Sequence, residues 1–341
     1  MTRSATRYRV TSFDVAAEAG VSQSTVSRAL AGSSAITEET RAKVVAAAEK
    51  LGYVVDARAA MLRKGTTGTI AVVVICRPDE AVSDINPFYF SLLGAVSAAA
   101  AEAGYETLVS FQAEADKLFG RYEERGQADG VIVIGTTTNN AAWEYFRELD
   151  KAGANLAFWG SPYNSLEWVR SDNFEGGQIA THALVESGCR RIVHIGTTQS
   201  PQRQFGERYE GYLAAMEQAG LEPQLEVIDE TADRESQGRK AVASLIEAGI
   251  DFDGLFIACD SIALGALDEL NRRGIKVPEE CGLVGFDGIR AGTYSNPPLT
   301  SVEPDFETAG SMLVRRVLGT EEQAGERRVP VHLLRRASVR I

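Results

Sequence analysis

The residues best suited to recognition chemistry form one short run, Ser22, Gln23, Ser24, Thr25, Ser27 and Arg28. A glutamine amide can pair bidentately with adenine, an arginine with guanine, and short hydroxyls with phosphates or base edges. Catalysis has no comparable constellation. The three histidines (His182, His194, His332) are widely separated, and the chain has no HExxH, P-loop, GxSxG elbow or GxGxxG loop. Four scattered cysteines form no CxxC pair, so they read as small buried hydrophobes rather than zinc ligands or a disulfide framework. No enzyme activity, cofactor or metal is expected.

The run must be held by the elements around it, and residues 11–52 have the spacing of three short helices. Ser12 is placed to cap the first, with Val15, Ala16 and Ala19 on one face and Gly20 as a left-handed stop. After a tight turn through Val21, Ser22 caps the second, whose Val26, Ala29 and Leu30 point inward. Thr37 caps the third, Glu38 and Glu39 complement its dipole, and Val44, Val45, Ala48 and Leu51 form an apolar stripe before Gly52. Helix, glycine turn and helix is the arrangement that lays a second helix in the major groove. Spacing alone equally permits a merely solvated polar face.

Charge is divided in a way that supports the first reading. The chain of 341 residues carries a formal charge of -12, with 44% hydrophobic and 24% charged residues. Residues 1–65 hold ten Lys/Arg against six Asp/Glu, a charge of +4 that leaves -16 on the remainder. A basic end on an acidic body approaches phosphate with that end only. No apolar run approaches the roughly 18 to 20 residues of a membrane helix. The basic amino terminus has no apolar h-region or cleavage site behind it, so the expected compartment is the cytoplasm, with nucleoid association when DNA is bound.

A second element follows. Asp56, the segment to Lys64 and Gly65 make a very short helix with a cap and a glycine terminator. Such a helix is marginal alone because nucleation is costly. From Ile70 onward, apolar runs (IAVVVI, YETLVSF, GVIVIG, ANLAFW, then RIVHIG, GLFIA, GLVGF) alternate with amphipathic stretches. This βα grammar restarts after residues 171–173, predicting two lobes of parallel sheet covered by helices, with a cleft at the strands' carboxyl ends.

TSFDVAAEAGVSQSTVSRAL, continuing through ITEETRAKVVAAAEKLGYV, resembles the opening of the lactose-repressor (LacI/GalR) family. NPFY, SDN, RYEGY, ALGAL and VGFD extend the resemblance from Tyr8 to Leu334. It implies an N-terminal all-α helix-turn-helix domain (1–54), a hinge helix or linker (55–67) and an α/β two-lobed periplasmic-binding-protein-like domain with parallel sheets (68–341). Gln23, Ser24 and Arg28 then correspond to major-groove readers, and Ser22, Thr25 and Ser27 to backbone contacts. Leu62 becomes a wedge between base pairs and Arg58 a phosphate or groove contact. Where the family often has Pro-Asn, this chain has Val55-Asp56, which leaves the hinge less restrained before binding.

In the body the resemblance implies that the chain crosses between lobes more than once. The helix after Asp305 should return to the first lobe and a final strand around residues 329–334 should rejoin the second. Arg208 falls at the family's ligand-gripping arginine and Asp287 at an acidic contact after a strand. Asn86 and Phe88 follow the first strand, Trp159 ends another, and Asp260 opens a helix beside the cleft. Polar groups beside aromatic faces suit a polyhydroxylated ligand. Asp260 has the alternative role of helix cap, Phe88 and Trp159 that of core, and Asp172-Asn173 reads as a turn or helix start. Relatives responding to sugars often carry aspartate at Gly160 and asparagine at Cys259, so a different set of hydroxyl contacts is expected here. The expected function is a homodimeric regulator, a repressor of carbohydrate genes, binding near-palindromic double-stranded operator DNA under control of a saccharide effector. The alternatives are a solute-binding protein without DNA-dependent function and a regulator answering to a nucleobase.

Overall fold

A computed structural model describes residues 10–54, 65–78, 81, 84–163, 165–166, 168–198, 203–230, 232–320 and 327–340. The chain divides into two compact units, Met1–Thr66 and Thr67–Ile341.

In the first unit, α1 (Ser12–Ala19), α2 (Gln23–Leu30) and α3 (Glu38–Leu51) close on a small core of Val15, Ala16, Val26, Ala29, Val44, Ala47 and Ala48. The cap of α1 is Thr11 rather than Ser12. Thr11 Oγ1 accepts from Asp14 N–H while the Asp14 carboxylate accepts from Thr11 N–H at 2.8 Å, a reciprocal capping box. The Ser12 hydroxyl instead accepts from Gln23 Nε2 at 3.2 Å. Val45 is 38% exposed, and Ala47 takes the inward place assigned to it. Ser22 and Thr37 cap α2 and α3 as their types dictate. Gly20 and Gly52 end α1 and α3 in the left-handed conformation. The open end of α2 is tied down from α3, where Arg41 donates to the Ala29 and Ser33 carbonyls at 2.9 and 3.0 Å.

The second unit holds two six-stranded sheets. The first contains β1 (Thr69–Ile75), β2 (Glu106–Gln112), β3 (Val131–Gly135), β4 (Leu156–Trp159), β5 (Trp168–Ser171) and β11 (Arg328–Val329), ordered β11-β5-β4-β3-β1-β2 with every pair parallel. The second contains β6 (Ile192–Gly196), β7 (Gln224–Val227), β8 (Gly254–Ile257), β9 (Gly282–Phe286), β10 (Thr300–Pro304) and β12 (Val331–Leu334), ordered β12-β10-β9-β8-β6-β7. It is parallel except for the β10/β12 pair. Central strands such as Ile70–Ile75 are buried throughout, as sheets covered on both faces require. Helices α4 (Pro87–Glu102) and α5 (Asn140–Lys151) pack on the first sheet. Helices α6 (Asn173–Glu186), α7 (Arg203–Ala219), α8 (Arg234–Glu247) and α9 (Asp260–Arg272) pack on the second.

The chain crosses between the sheets three times. It leaves the first at Asp172, which caps α6, and returns at Asp305, which caps α10 (Phe306–Val317) on the first lobe. The third crossing corrects the expectation of one strand over 329–334. Val329 still pairs with Ser171 in the first sheet, and only Val331–Leu334 joins the second, antiparallel to β10. Pro330 between them has no N–H for a ladder, so the strand breaks there while its carbonyl accepts from Asp305 N–H at 2.9 Å.

Helices α6 and α7 touch backbone to backbone. A methyl on Gly177 would lie 2.2 Å from the Arg208 carbonyl oxygen, and one on Gly211 would lie 2.1 Å from that of Phe174. Only glycine permits this approach, and it fixes the helix that carries Arg208.

His194 stands fully buried in β6 against Phe256, Tyr209 and Tyr212, with ring centroids 4.7, 5.5 and 5.5 Å away. Neither ring nitrogen has a hydrogen-bond partner among the described residues. Burial, aided by the positive charge of Arg208, holds its pKa down to about 3. The unfolded chain, titrating near 6.5, therefore takes up a proton that the folded chain refuses. Stability is retained above about 6.5 and lost as pH falls toward the folded value. From pH 7 to pH 5 this group alone contributes a loss of about 2 kcal/mol. Urea unfolding of His194→Phe at the two pH values should show a fall smaller than the parent's by that amount, and equal falls would clear His194 of any part in acid lability.

Candidate functional site

Two arrangements suit recognition. The first is the polar face of α2. Ser24 and Arg28 are exposed, and Gln23 and Ser27 are half-buried. The Arg28 side chain has no partner among the described residues, so its guanidinium is available to an outside acceptor. The Ser22 hydroxyl lies 2.8 Å from both the Ser24 and Thr25 hydroxyls, forming a cluster at the helix start, where N–H groups and dipole favour an anion such as phosphate. The six predicted residues of α2 thus fall in one short segment with Val26 and Ala29 turned into the core. Arg58 and Leu62 lie outside the described residues.

The second is a narrow cavity between the two lobes, with about 40 Å³ open to a water-sized molecule. Asn86 caps α4, accepting from Phe88 N–H at 3.0 Å, and Pro87 at the first helical position needs no partner for a missing donor. Phe88 packs with Trp159 and Phe306 at centroid distances of 5.8 and 5.4 Å, making an aromatic wall on the first lobe. Phe88 and Trp159 are therefore both core residues and cavity lining.

Across the cavity stands Arg208 of α7, only 4% exposed. It donates to Asn173 Oδ1 at 3.0 Å, to the Ala258 carbonyl, and to Asp287 Oδ1 at 3.4 Å, and it lies 3.5 Å over the Phe286 ring. Asp287 also accepts from Asn86 Nδ2 at 3.5 Å, the contact that joins the lobes. Burial raises the Asp287 pKa, opposed chiefly by the Arg208 charge, and burial lowers that of Arg208, opposed chiefly by Asp287. The backbone at Asp287 has φ 110°, a left-handed conformation that costs a side-chain-bearing residue about 1–3 kcal/mol. Ladder contacts hold it there, with Asp287 N–H donating to the Val302 carbonyl at 2.8 Å.

A second bridge between lobes centres on Glu207. Its carboxylate accepts from Arg170 at 2.9 Å, from Arg328 at 3.0 Å and from Asn173 Nδ2 at 3.1 Å. Arg170, 3% exposed, stacks 3.7 Å over Trp168.

Of the six residues predicted for the ligand, Asn86, Phe88, Trp159, Arg208 and Asp287 line this cavity. Asp260 does not. It is the first residue of α9 without capping it, and its buried carboxylate accepts from Ile289 N–H at 2.8 Å and the Ser301 hydroxyl at 2.7 Å. Burial, followed by the charge of Asp287, pushes its pKa well up. Its contacts make it a brace for the loop that carries Asp287. Sequence reasoning missed Tyr89, Arg170, Ser171, Gln204, Phe205 and Arg234 as lining residues. The one signal for Arg170 was its place directly before the SDN turn. Asn173, read as a helix start, does begin α6, yet it also lines the cavity and orients Arg208. Gly160 and Cys259 face the cavity too, and φ 65° at Gly160 disfavours a larger residue there.

Residues 13–56 match the family described as bacterial regulatory proteins, lacI family, and residues 181–339 match a periplasmic binding protein-like domain. The chain is 31% identical over 335 residues to the HTH-type transcriptional regulator CelR of Thermobifida fusca, covering 96% of each. It is 30% identical over 336 residues to the HTH-type transcriptional repressor CytR of Escherichia coli K12, covering 96% of this chain and 95% of that one. Among solved structures, a transcriptional regulator CelR–cellobiose complex aligns with a TM-score of 0.67 at 30% identity, covering 97% of this chain and 100% of that one. The lac repressor dimer bound to operator and the anti-inducer ONPF aligns with a TM-score of 0.74 at 24% identity, covering 97% and 99%, a likeness of fold.

Proposed function

The chain belongs to the lacI family of bacterial DNA-binding transcriptional regulators, and from that premise we propose that it is a homodimeric repressor of carbohydrate uptake or catabolism genes whose grip on a near-palindromic operator changes when a saccharide enters the interlobe cavity. The observation that carries the effector reading is the cavity itself. Asn86 of one lobe meets Asp287 and Arg208 of the other, beside the Phe88–Trp159 wall. A ligand with adjacent hydroxyls replaces contacts on both sides at once and so favours one arrangement of the lobes over another. The lining joins aromatic faces to amide, carboxylate and guanidinium groups, and the similar CelR structure is a complex with cellobiose, which together support a sugar over a planar base. Its place of work is the cytoplasm, on the nucleoid when operator-bound, and its relatives are regulators rather than enzymes.

DNA is read by α2, with Gln23, Ser24 and Arg28 toward the bases and Ser22, Thr25 and Ser27 toward the backbone. Arg28→Ala should relax base choice at one operator position by about 1–3 kcal/mol. Binding of an operator library by the two proteins at fixed salt checks this, and an unchanged base preference would shift the register assigned to α2.

The dimer is proposed to form on the β2 side of the first lobe. There an edge strand exposes Val109 and Phe111, each at 40%, beside Phe90 at 42%, whose ring lies 6.1 Å from that of Phe111. An apolar cluster on an open edge is a pairing surface.

A further inference from the structure

The first residues of α1 and α2 meet. Gln23 Nε2 donates to the Ser12 hydroxyl at 3.2 Å, and both residues are half-buried. A serine at the start of a helix ordinarily spends its hydroxyl on a cap. Here Thr11 and Asp14 already cap α1 reciprocally, and Ser22 caps α2 by accepting from Thr25 N–H at 3.2 Å. The Ser12 hydroxyl has no capping work left, and Gln23 is its one side-chain partner among the described residues. Beneath the pair, Val15 and Ala16 of α1 share a core with Val26 of α2, so the serine stands on a fixed support.

The consequence lies in the shape of a carboxamide. Glutamine reads adenine with Oε1 and the Nε2 hydrogen on the same side as that oxygen, the two meeting adenine N6–H and N7. The second Nε2 hydrogen points away from that edge and is free to bond Ser12 while the edge faces a base. One amide thus serves both partners at once. An unsupported glutamine loses its rotamer freedom when it settles on a base, and a bond made before binding removes part of that cost. Arg28, on the same helix, has no such support among the described residues.

We infer that Ser12 is a positioning residue for sequence reading: its hydroxyl holds the Gln23 carboxamide with the Oε1/Nε2 edge toward the major groove, so that the base opposite Gln23 is chosen by the pair and not by α2 alone. This rests on the assignment of α2 as the DNA-reading helix.

The test is selection from a randomised operator library by the full chain at fixed salt, read as the fold preference for the chosen base at each position. Ser12→Ala should lower the preference at the position that Gln23→Ala erases by about three- to tenfold, the worth of one hydrogen bond. It should leave the position answering to Arg28→Ala unchanged, and Ser12→Thr, which keeps the hydroxyl, should keep most of the preference. In a Gln23→Ala background, Ser12→Ala should have no further effect. A loss that persists in that background would make Ser12 a contact in its own right and overturn the positioning role. Equal losses at the Gln23 and Arg28 positions would reduce Ser12 to helix packing and overturn it as well. Full preference at every position in Ser12→Ala, or in Gln23→Ala, would also sink the proposal, while a position still relaxed by Arg28→Ala would keep α2 as the reading helix. A motif indifferent to both Gln23→Ala and Arg28→Ala, or no motif at all, would overturn the reading by α2 and the proposal with it.

Discussion

Arg208→Met is expected to destabilise the second unit by about 3–5 kcal/mol, the cost of leaving a buried ionised partner without its counter-charge. The side chain is 4% exposed and engages Asn173, Ala258 and Asp287 at once. Methionine has a similar reach and supplies none of those donors. Asp287 is then left buried in a conformation already strained, with Asn86 at 3.5 Å as its remaining side-chain partner. The melting temperature should fall by roughly 10 °C, given about 2–4 °C per kcal/mol for a unit of this size. Adding Asp287→Asn removes the stranded charge, and asparagine tolerates positive φ, so the double variant should recover part of the loss. Urea unfolding of the two singles and the double gives the coupling directly. An Arg208→Met protein within about 1 kcal/mol of the parent would mean that the pair is not a structural centre of the cavity.

The second large effect concerns DNA. A single α2 reads one half-site, and a dimer gains its operator affinity by making the second contact intramolecular, an advantage of about 100-fold or more. Phe111→Glu places a charge in the exposed apolar cluster of β2 and its like-charged copy across the proposed two-fold. The variant should sediment as a monomer at micromolar concentration and lose about 100-fold or more in operator affinity while keeping its fold, because Phe111 is 40% exposed already. A monomer with undiminished operator affinity would remove dimerisation from the mechanism. A persistent dimer would move the interface elsewhere on the molecule.

The sequence carried the small helical unit well because its cues are local. A cap residue, a glycine stop and an apolar period each act within one turn, and their positions hold for Ser22, Thr37, Gly20 and Gly52. Even there, the choice between Thr11 and Ser12 as cap turned on a reciprocal bond to Asp14. In the body, long apolar strands were plain, whereas short ones such as Trp168–Ser171 and Gln224–Val227 were not. Four residues carrying Arg170 or Glu226 have no apolar run to announce them.

The cavity was legible where one residue stands at the end of a strand, as Trp159 and Asp287 do. It was illegible where lining depends on a fold-level meeting. Gln204, Phe205 and Arg208 share α7, but only the crossing at Asp172 brings Arg170 and Asn173 beside them. Asp260 shows the converse. It opens a helix at the right end of its strand, yet Ile289 and Ser301 turn its carboxylate away into the protein.

The most direct test of ligand-controlled DNA reading is to sequence genomic fragments retained by the purified chain at fixed salt, with and without candidate saccharides. A near-palindromic motif should emerge with half-sites about 10 base pairs apart or a multiple of that. It should lie near carbohydrate genes, and its retention should change when the saccharide handled by those genes is added. Salt-sensitive retention without a motif, or a motif whose retention ignores every such saccharide, would contradict it.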